Sequence, residues 1–264
     1  MGCAGSTHFE EVYEPTKLLD EVPIAIGVPT VAVRASGSLL VGVRGSDGKA
    51  KILNYCAPVG STAGEVLIDD VPTEGVPTVA VRASGWVLVG ARSDGKAKIL
   101  EYRDPSSSSE VLIDDVPTEE GVPTIALRSS GWLLVGVRGS DGRAKILEYR
   151  DPSSTPEVLI DNVPTERVPT VALRASGWVL VGTRAPDGSC KILNYQDPSN
   201  SLAAEILVDG IPCDAGHVPT VAIRVGGWLV VGTRLGGDTS IGTCGQVLTY
   251  VPRRRARDQF DKLQ

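Results

Sequence analysis

Residues 76–121 read VPTVAVRASGWVLVGARSDGKAKILEYRDPSSSSEVLIDDVPTEEG, and this stretch returns along the chain with few changes. Its opening, Val-Pro-Thr followed by Val or Ile and then Ala, occurs five times, with prolines at Pro29, Pro77, Pro123, Pro169 and Pro219. The steps between them are 48, 46, 46 and 50 residues. A near-constant period of this length marks a repeat architecture in which each unit is one supersecondary element. Inside the unit, short β-branched runs are separated by Gly, Pro, Asp and Ser, the pattern of strands and turns. Four strands are expected in this unit, at 76–82, 86–92, 97–102 and 110–114. The ASG and SDGK links between the first three are of hairpin length and place Gly where a positive φ is needed. Nothing in the repeat has helical periodicity.

The two ends of the repeat region decide how the units are arranged. The last unit supplies only three strands, at 218–224, 228–234 and 246–250, and no fourth follows. The missing piece lies at the start of the chain, where KLLDEVP at 17–23 matches VLIDDVP at 111–117 almost position for position. An open solenoid has no use for a lone fourth strand ahead of its first unit, whereas a ring does. The expected fold is therefore all-β: a five-bladed β-propeller with four antiparallel strands per blade, the N-terminal strand closing the last blade. Residues 17–252 would form the propeller, 1–16 an N-terminal tail and 253–264 a basic C-terminal tail. In blade count and closure the chain resembles β-propeller proteins, with the five-bladed arrangement of tachylectin-type lectins. It lacks the WD dipeptide and the Gly-Gly pairs of kelch blades.

Composition narrows the partners. A net charge of −6 and a pI near 5.1 argue against nucleic acid, which selects a basic face. The five cysteines form no CxxC pair, and the start MGCAGSTHFEE has no apolar stretch; together these read as reduced thiols in a cytoplasmic protein. Met1-Gly2-Cys3-Ala4-Gly5-Ser6 fits an acylation pattern, with Gly2 and Cys3 as the candidate lipidation residues and a membrane surface as the implied location. Arg253, Arg254 and Arg255 would assist there.

Candidate sites follow from positions that recur with the blades. The innermost strands read VPTVAVR, VPTVAVR, VPTIALR, VPTVALR and VPTVAIR, with no Asp or Glu. Five-bladed glycosidases set paired carboxylates on such strands. The only histidines, His8 and His217, do not recur with the repeat. The expectation is accordingly no enzyme, no catalytic residues, no metal and no cofactor.

Arg34, Arg82, Arg128, Arg174 and Arg224 end the first strands and form one candidate binding ring, suited to a carboxylate, a phosphate or an acidic peptide. Arg44, Arg92, Arg138, Arg184 and Arg234 end the second strands and form another ring on the opposite face. The turn aspartates Asp47, Asp94, Asp141 and Asp187 and the ends of the outer strands share a face with this second ring, and ion pairing within and between blades is expected there. Trp86, Trp132, Trp178 and Trp228 open the second strands, with Ser38 in their place in the first unit. They are expected to be buried between blades; exposed, they would be sugar-stacking platforms. The function expected is an interaction scaffold, a monomeric ring presenting loops to protein partners. The alternative is a multivalent lectin with one carbohydrate site per blade.

Overall fold

The computed structural model describes residues 9–56, 64–104, 108–198, 204–234 and 245–256. The candidate lipidation residues Gly2 and Cys3, like residues 257–264, lie outside the described residues. The strands fall where short β-branched runs alternate with glycine turns. Strand β1 spans Phe9–Val22. Blade 1 holds β2 (Thr30–Val33), β3 (Leu39–Arg44), β4 (Ala50–Tyr55) and β5 (Glu65–Ile68). Blade 2 holds β6 (Thr78–Val81), β7 (Val87–Ser93), β8 (Lys96–Tyr102) and β9 (Glu110–Val116). Blade 3 holds β10 (Thr124–Leu127), β11 (Leu133–Arg138), β12 (Ala144–Tyr149) and β13 (Glu157–Val163). Blade 4 holds β14 (Thr170–Leu173), β15 (Val179–Arg184), β16 (Cys190–Tyr195) and β17 (Ala204–Val208). Blade 5 holds β18 (Thr220–Ile223), β19 (Leu229–Arg234) and β20 (Gly245–Ala256).

Each blade is a four-stranded antiparallel sheet, and the fifth has the order β1-β20-β19-β18. The chain's first strand thus closes its last blade, as the KLLDEVP match requires. The innermost strands β2, β6, β10, β14 and β18 neighbour one another around a closed circle. β1 starts at Phe9 and β20 runs to Ala256, so both continue into the segments expected to be tails. In that extension Glu10 is paired with Arg255 and Glu11 with Arg254 by backbone register.

The circle is sewn by one repeated hydrogen bond. The Thr30 hydroxyl donates to the Pro77 carbonyl of the next blade at 2.6 Å. Thr78, Thr124, Thr170 and Thr220 do the same to Pro123, Pro169, Pro219 and Pro29, at 2.6 to 2.7 Å. The second strand must be bare where it passes this bond. A Cβ on Gly182 would sit 2.2 Å from Thr170 Oγ1 and 2.4 Å from the Pro219 carbonyl oxygen, and Gly42, Gly90, Gly136 and Gly232 are confined alike. The threonine hydroxyls of the innermost strands are therefore spent on holding the blades together.

Both faces of every blade are covered, which is why the middle strands read as unbroken apolar runs. Leu40 and Ile52 of blade 1 pack with Val87 and Val89 of blade 2, while Val41 and Leu53 face blade 5 through Val230 and Val247. Five such seams hold the core. On the outer strand, Ile113 and Val116 are both buried although an even number of residues separates them. A bulge at Asp115, with φ of 56°, reconciles this with the two-residue period. Asp70 and Asn162 share that φ, and Gly210 takes the position in blade 4.

Candidate functional site

In every blade the first strand turns into the second through the same hairpin. In blade 2 the Arg82 N–H donates to the Trp86 carbonyl and the Gly85 N–H to the Arg82 carbonyl, with Gly85 at φ 90°. The same pairings link Arg34 to Ser38, Arg128 to Trp132, Arg174 to Trp178 and Arg224 to Trp228. One face of the disc, called here the turn face, therefore carries all five arginines of the first ring and all four tryptophans.

The second ring sits at the other end of the second strands and is structural. Arg44 donates to the Thr73 carbonyl at 2.6 Å, Arg92 to the Thr118 and Glu119 carbonyls, and Arg184 to the Asp214 carbonyl at 2.9 Å. Arg138 donates to the Glu166 carbonyl, and Arg234 reaches the Gly27 and Ala25 carbonyls. Each side chain thus clasps the connection into the following blade. Of the expected acidic partners, Glu120 and Asp214 beyond the outer strands meet Arg138 and Arg234 at 3.9 and 3.7 Å, whereas three turn aspartates are held locally: Asp47 by Lys51, Asp141 by Lys145 and Asp187 by Ser189. The reason is reach, since a residue of the same hairpin lies closer to these carboxylates than a guanidinium directed at the next blade.

The first ring is not five-fold equivalent. In blades 2 and 3 the guanidinium Nε meets a buried carboxylate: Arg82 with Glu101 at 2.7 Å, and Arg128 with Glu148 at 2.6 Å. Those acids stand on the third strand, opposite Leu88 and Leu134. The same register position is Asn54 in blade 1, Asn194 in blade 4 and Thr249 in blade 5. Going round the ring, blades 4, 5 and 1 are consecutive, so Arg174, Arg224 and Arg34 form a continuous arc with no carboxylate at that position. Arg34 Nε, Arg174 Nε, Asn54 Oδ1, Asn194 Oδ1 and Thr249 Oγ1 are buried and make no hydrogen bond among the described residues. Asn194 is 1% exposed. Arg224 Nη2 lies 3.9 Å from where a Cβ on Gly37 would stand, so this side chain leans across the seam towards the blade 1 turn.

The tryptophans do not belong to the core clusters that fill the inter-blade seams, contrary to expectation. Trp86, Trp132 and Trp178 are half-buried, and Trp228 is 41% exposed. Each precedes the first paired residue of the second strand and so stands at the mouth of the hairpin, outside the inter-blade seam. Arg103 lies over the Trp86 ring at 4.9 Å and Arg150 over Trp132 at 5.0 Å, while Arg174 of the arc itself lies 5.8 Å from the Trp178 ring. Arg103 and Arg150 also meet Glu110 and Glu157 at 2.9 Å, so the turn face of blades 2 and 3 is a closed charge network. At the position of Arg103, blades 1, 4 and 5 have Cys56, Gln196 and Val251.

The closing ribbon reaches this face as well. Arg174 Nη2 donates to the Tyr13 hydroxyl at 2.6 Å, so β1, beyond the end of its own blade, touches the innermost strand's arginine in blade 4. Between the hairpins of blades 3 and 4 lies a cleft of about 240 Å³ lined by Arg128, Ser129, Ser130, Arg174 and Ala175.

No protein-family model matches the chain, and no curated protein matches it by sequence. Solved structures do. The PQQ-bound aldose sugar dehydrogenase of Streptomyces coelicolor is similar with a TM-score of 0.54 at 12% identity, over 93% of this chain and 100% of that one. A gluconolactonase of Xanthomonas campestris is similar with a TM-score of 0.53 at 11% identity, over 91% of this chain and 90% of that one. A chain of the nidogen/laminin complex gives a TM-score of 0.53 at 13% identity, over 77% of this chain and 71% of that one. At these identities the likeness establishes the propeller fold.

It also corrects the expectation that the chain is no enzyme. That expectation took the absence of carboxylates from the innermost strands as decisive, but the same fold carries a sugar dehydrogenase and a gluconolactonase. The dehydrogenase is described with PQQ bound, and a cofactor brings chemistry that innermost-strand carboxylates need not supply. Absence of one residue type from one strand therefore does not exclude catalysis on a propeller.

Proposed function

We propose that the turn face is a docking surface that receives an acidic segment of a partner protein on the arc Arg174–Arg224–Arg34. One observation carries this reading: three consecutive blades keep the arginine but replace its buried acid by Asn or Thr, leaving buried polar atoms without partners. Buried nitrogens and oxygens in this state are uncommon in native proteins. A carboxylate supplied from outside satisfies the guanidinium nitrogens and neutralises their charge, as Glu101 and Glu148 do in the other two blades. The nidogen/laminin structure supports the idea that this fold serves as one side of a protein complex. The tryptophan set supports a sugar-binding alternative less well, because Arg103, Arg150 and Arg174 each lie over one of the rings.

The test is titration of the full chain with a fluorescent Glu-rich peptide at two salt concentrations. Binding should weaken with salt, and R34A/R224A should weaken it by about tenfold or more, given that hydrogen bonds to charged groups contribute about 1.5–3 kcal/mol. Equal binding by wild type and the double variant, or preferential capture of glycans by the same face, would sink the proposal.

A further inference from the structure

Two departures from the repeat meet in one place at the seam between blades 4 and 5. The residue paired with the last arginine of the second strand is Ala50, Ala97 and Ala144 in blades 1, 2 and 3, but Cys190 in blade 4. The residue after the proline that leaves the outer strand is Thr73, Thr118 and Thr165, but Cys213 after blade 4. In the other connections this threonine accepts the N–H of the second-strand arginine, as Thr73 does from Arg92 at 3.0 Å. Cys213 instead contacts the Thr233 hydroxyl at 3.2 Å and shares a core cluster with Cys190. Two sulfurs therefore share one core cluster, with the Ile211 N–H two residues before Cys213 donating to the Cys190 carbonyl at 3.0 Å, where three other blades place a methyl and a hydroxyl.

The surroundings make these thiols unequal. Cys190 Sγ is 2% exposed as a residue and receives Arg184 Nη1 at 3.6 Å. Its Sγ also lies 3.6 Å from the His217 carbonyl. The neighbouring Cys213 thiol, with the Arg184 charge, holds Cys190 below the ordinary thiol value against its burial. Cys213 is pushed up, first because its interaction with Cys190 favours the protonated thiol and then by its burial. His217, with Arg234, Asp214, Arg167 and Arg184 around it, is held below its ordinary value by burial first and the arginines next, so no imidazolium competes for the thiolate near neutral pH. A nucleophilic thiolate next to a protonated thiol is the arrangement of a redox-responsive pair.

We propose that Cys190 and Cys213 are a redox modification site that closes to an intramolecular disulfide on reaction with a peroxide. The Cys190 thiolate attacks one peroxide oxygen, forming an S–O bond as the O–O bond breaks and hydroxide leaves, which gives a sulfenic acid. The Cys213 sulfur then attacks the Cys190 sulfur, forming the S–S bond as the S–O bond breaks. Its proton and the departing hydroxyl leave as water. In sum two thiols give up two electrons and two protons, and hydrogen peroxide becomes two waters. The partly exposed Cys213 offers a small oxidant its way in. The bridge would tie β16 to the connection entering blade 5 and withdraw Cys213 from Thr233.

The full chain treated with limiting hydrogen peroxide and digested without reductant should yield a peptide pair joined through Cys190 and Cys213. Alkylation of Cys190 by iodoacetamide should show a midpoint below the ordinary thiol value. The midpoint should rise towards the ordinary thiol value of about 8.5 in C213T. C190A and C213T install residues the other blades already carry, so both should fold and both should abolish the bridge. The proposal is overturned if the pair stays reduced while the exposed Cys56 oxidises. It is equally overturned by disulfides that join only other cysteines, or by an ordinary midpoint in the unmodified protein.

Discussion

Blades 2 and 3 and blades 4, 5 and 1 are built from the same strands, the same threonine–proline stitch and the same glycine beneath it, yet their turn faces differ. In blades 2 and 3 an arginine, a buried glutamate, a second arginine and an outer glutamate form a self-contained network. In the other three the innermost arginine remains while the buried acid is gone. The blade's architecture does not depend on that network, because all five blades close with the same register. What the network sets is whether the face is satisfied within the chain or open to a charge from outside.

The largest effect expected from this contrast is on stability. Glu148→Ala removes the carboxylate from Arg128, leaving the guanidinium in a pocket where its side chain is only 23% exposed. Breaking a pair of this kind should cost about 2–3 kcal/mol, below the full buried-pair value because solvent still reaches the arginine. Asn194→Ala at the matching position of blade 4 ends no hydrogen bond at Oδ1 and should cost about 1 kcal/mol or less. Equal losses in chemical denaturation would mean that the blades are not different in the way described.

The converse exchange sharpens the point. Asn54→Glu with Asn194→Glu gives Arg34 and Arg174 the acid that Arg82 and Arg128 already have. Stability should rise by about 1 kcal/mol, in the range of a net hydrogen bond, and binding of the Glu-rich peptide should fall towards background. A variant that gains stability but binds as before would move the docking site elsewhere.

The repeat made the fold readable because each unit writes its four strands and turns in the same order, and because KLLDEVP could only be an outer strand without a blade. The replacement of Glu101 and Glu148 by Asn54, Asn194 and Thr249 was equally visible in the letters. Its meaning was not, since the third-strand residue meets the first-strand arginine across an intervening strand, a relation of space rather than of spacing. The tryptophans misled for a similar reason: their apolar neighbours suggested a buried strand, whereas the strand starts one residue later. Cys190 and Cys213 each look like a minor departure from the repeat, and only folding sets them together. The ribbon beyond Lys17 and Tyr250 was missed because nothing in the repeat corresponds to it.

The smallest effect lies in the turns between the second and third strands, where blade 3 and blade 4 again solve one problem differently. Asp141 is held by the Lys145 ammonium at 2.6 Å and the Arg143 N–H, and Asp187 by the Ser189 hydroxyl at 2.6 Å and the Ser189 N–H. Both carboxylates are pulled below their ordinary value, Asp141 first by the lysine and Asp187 first by the serine hydroxyl. A depressed carboxylate contributes stability that is present above its unfolded value, near 4, and is lost as pH falls through the folded one. Asp141→Asn and Asp187→Asn should therefore each be slightly less stable than the parent at neutral pH and indistinguishable from it in strong acid. Salt separates them, because ions screen an exposed ammonium–carboxylate pair far more than a hydroxyl–carboxylate bond. Raising sodium chloride at pH 7 should shrink the deficit of Asp141→Asn, while that of Asp187→Asn, with Lys191 contributing only a weaker charge at longer range, should change much less. Equal salt slopes for the two variants would show that the lysine in blade 3 adds nothing the serine does not.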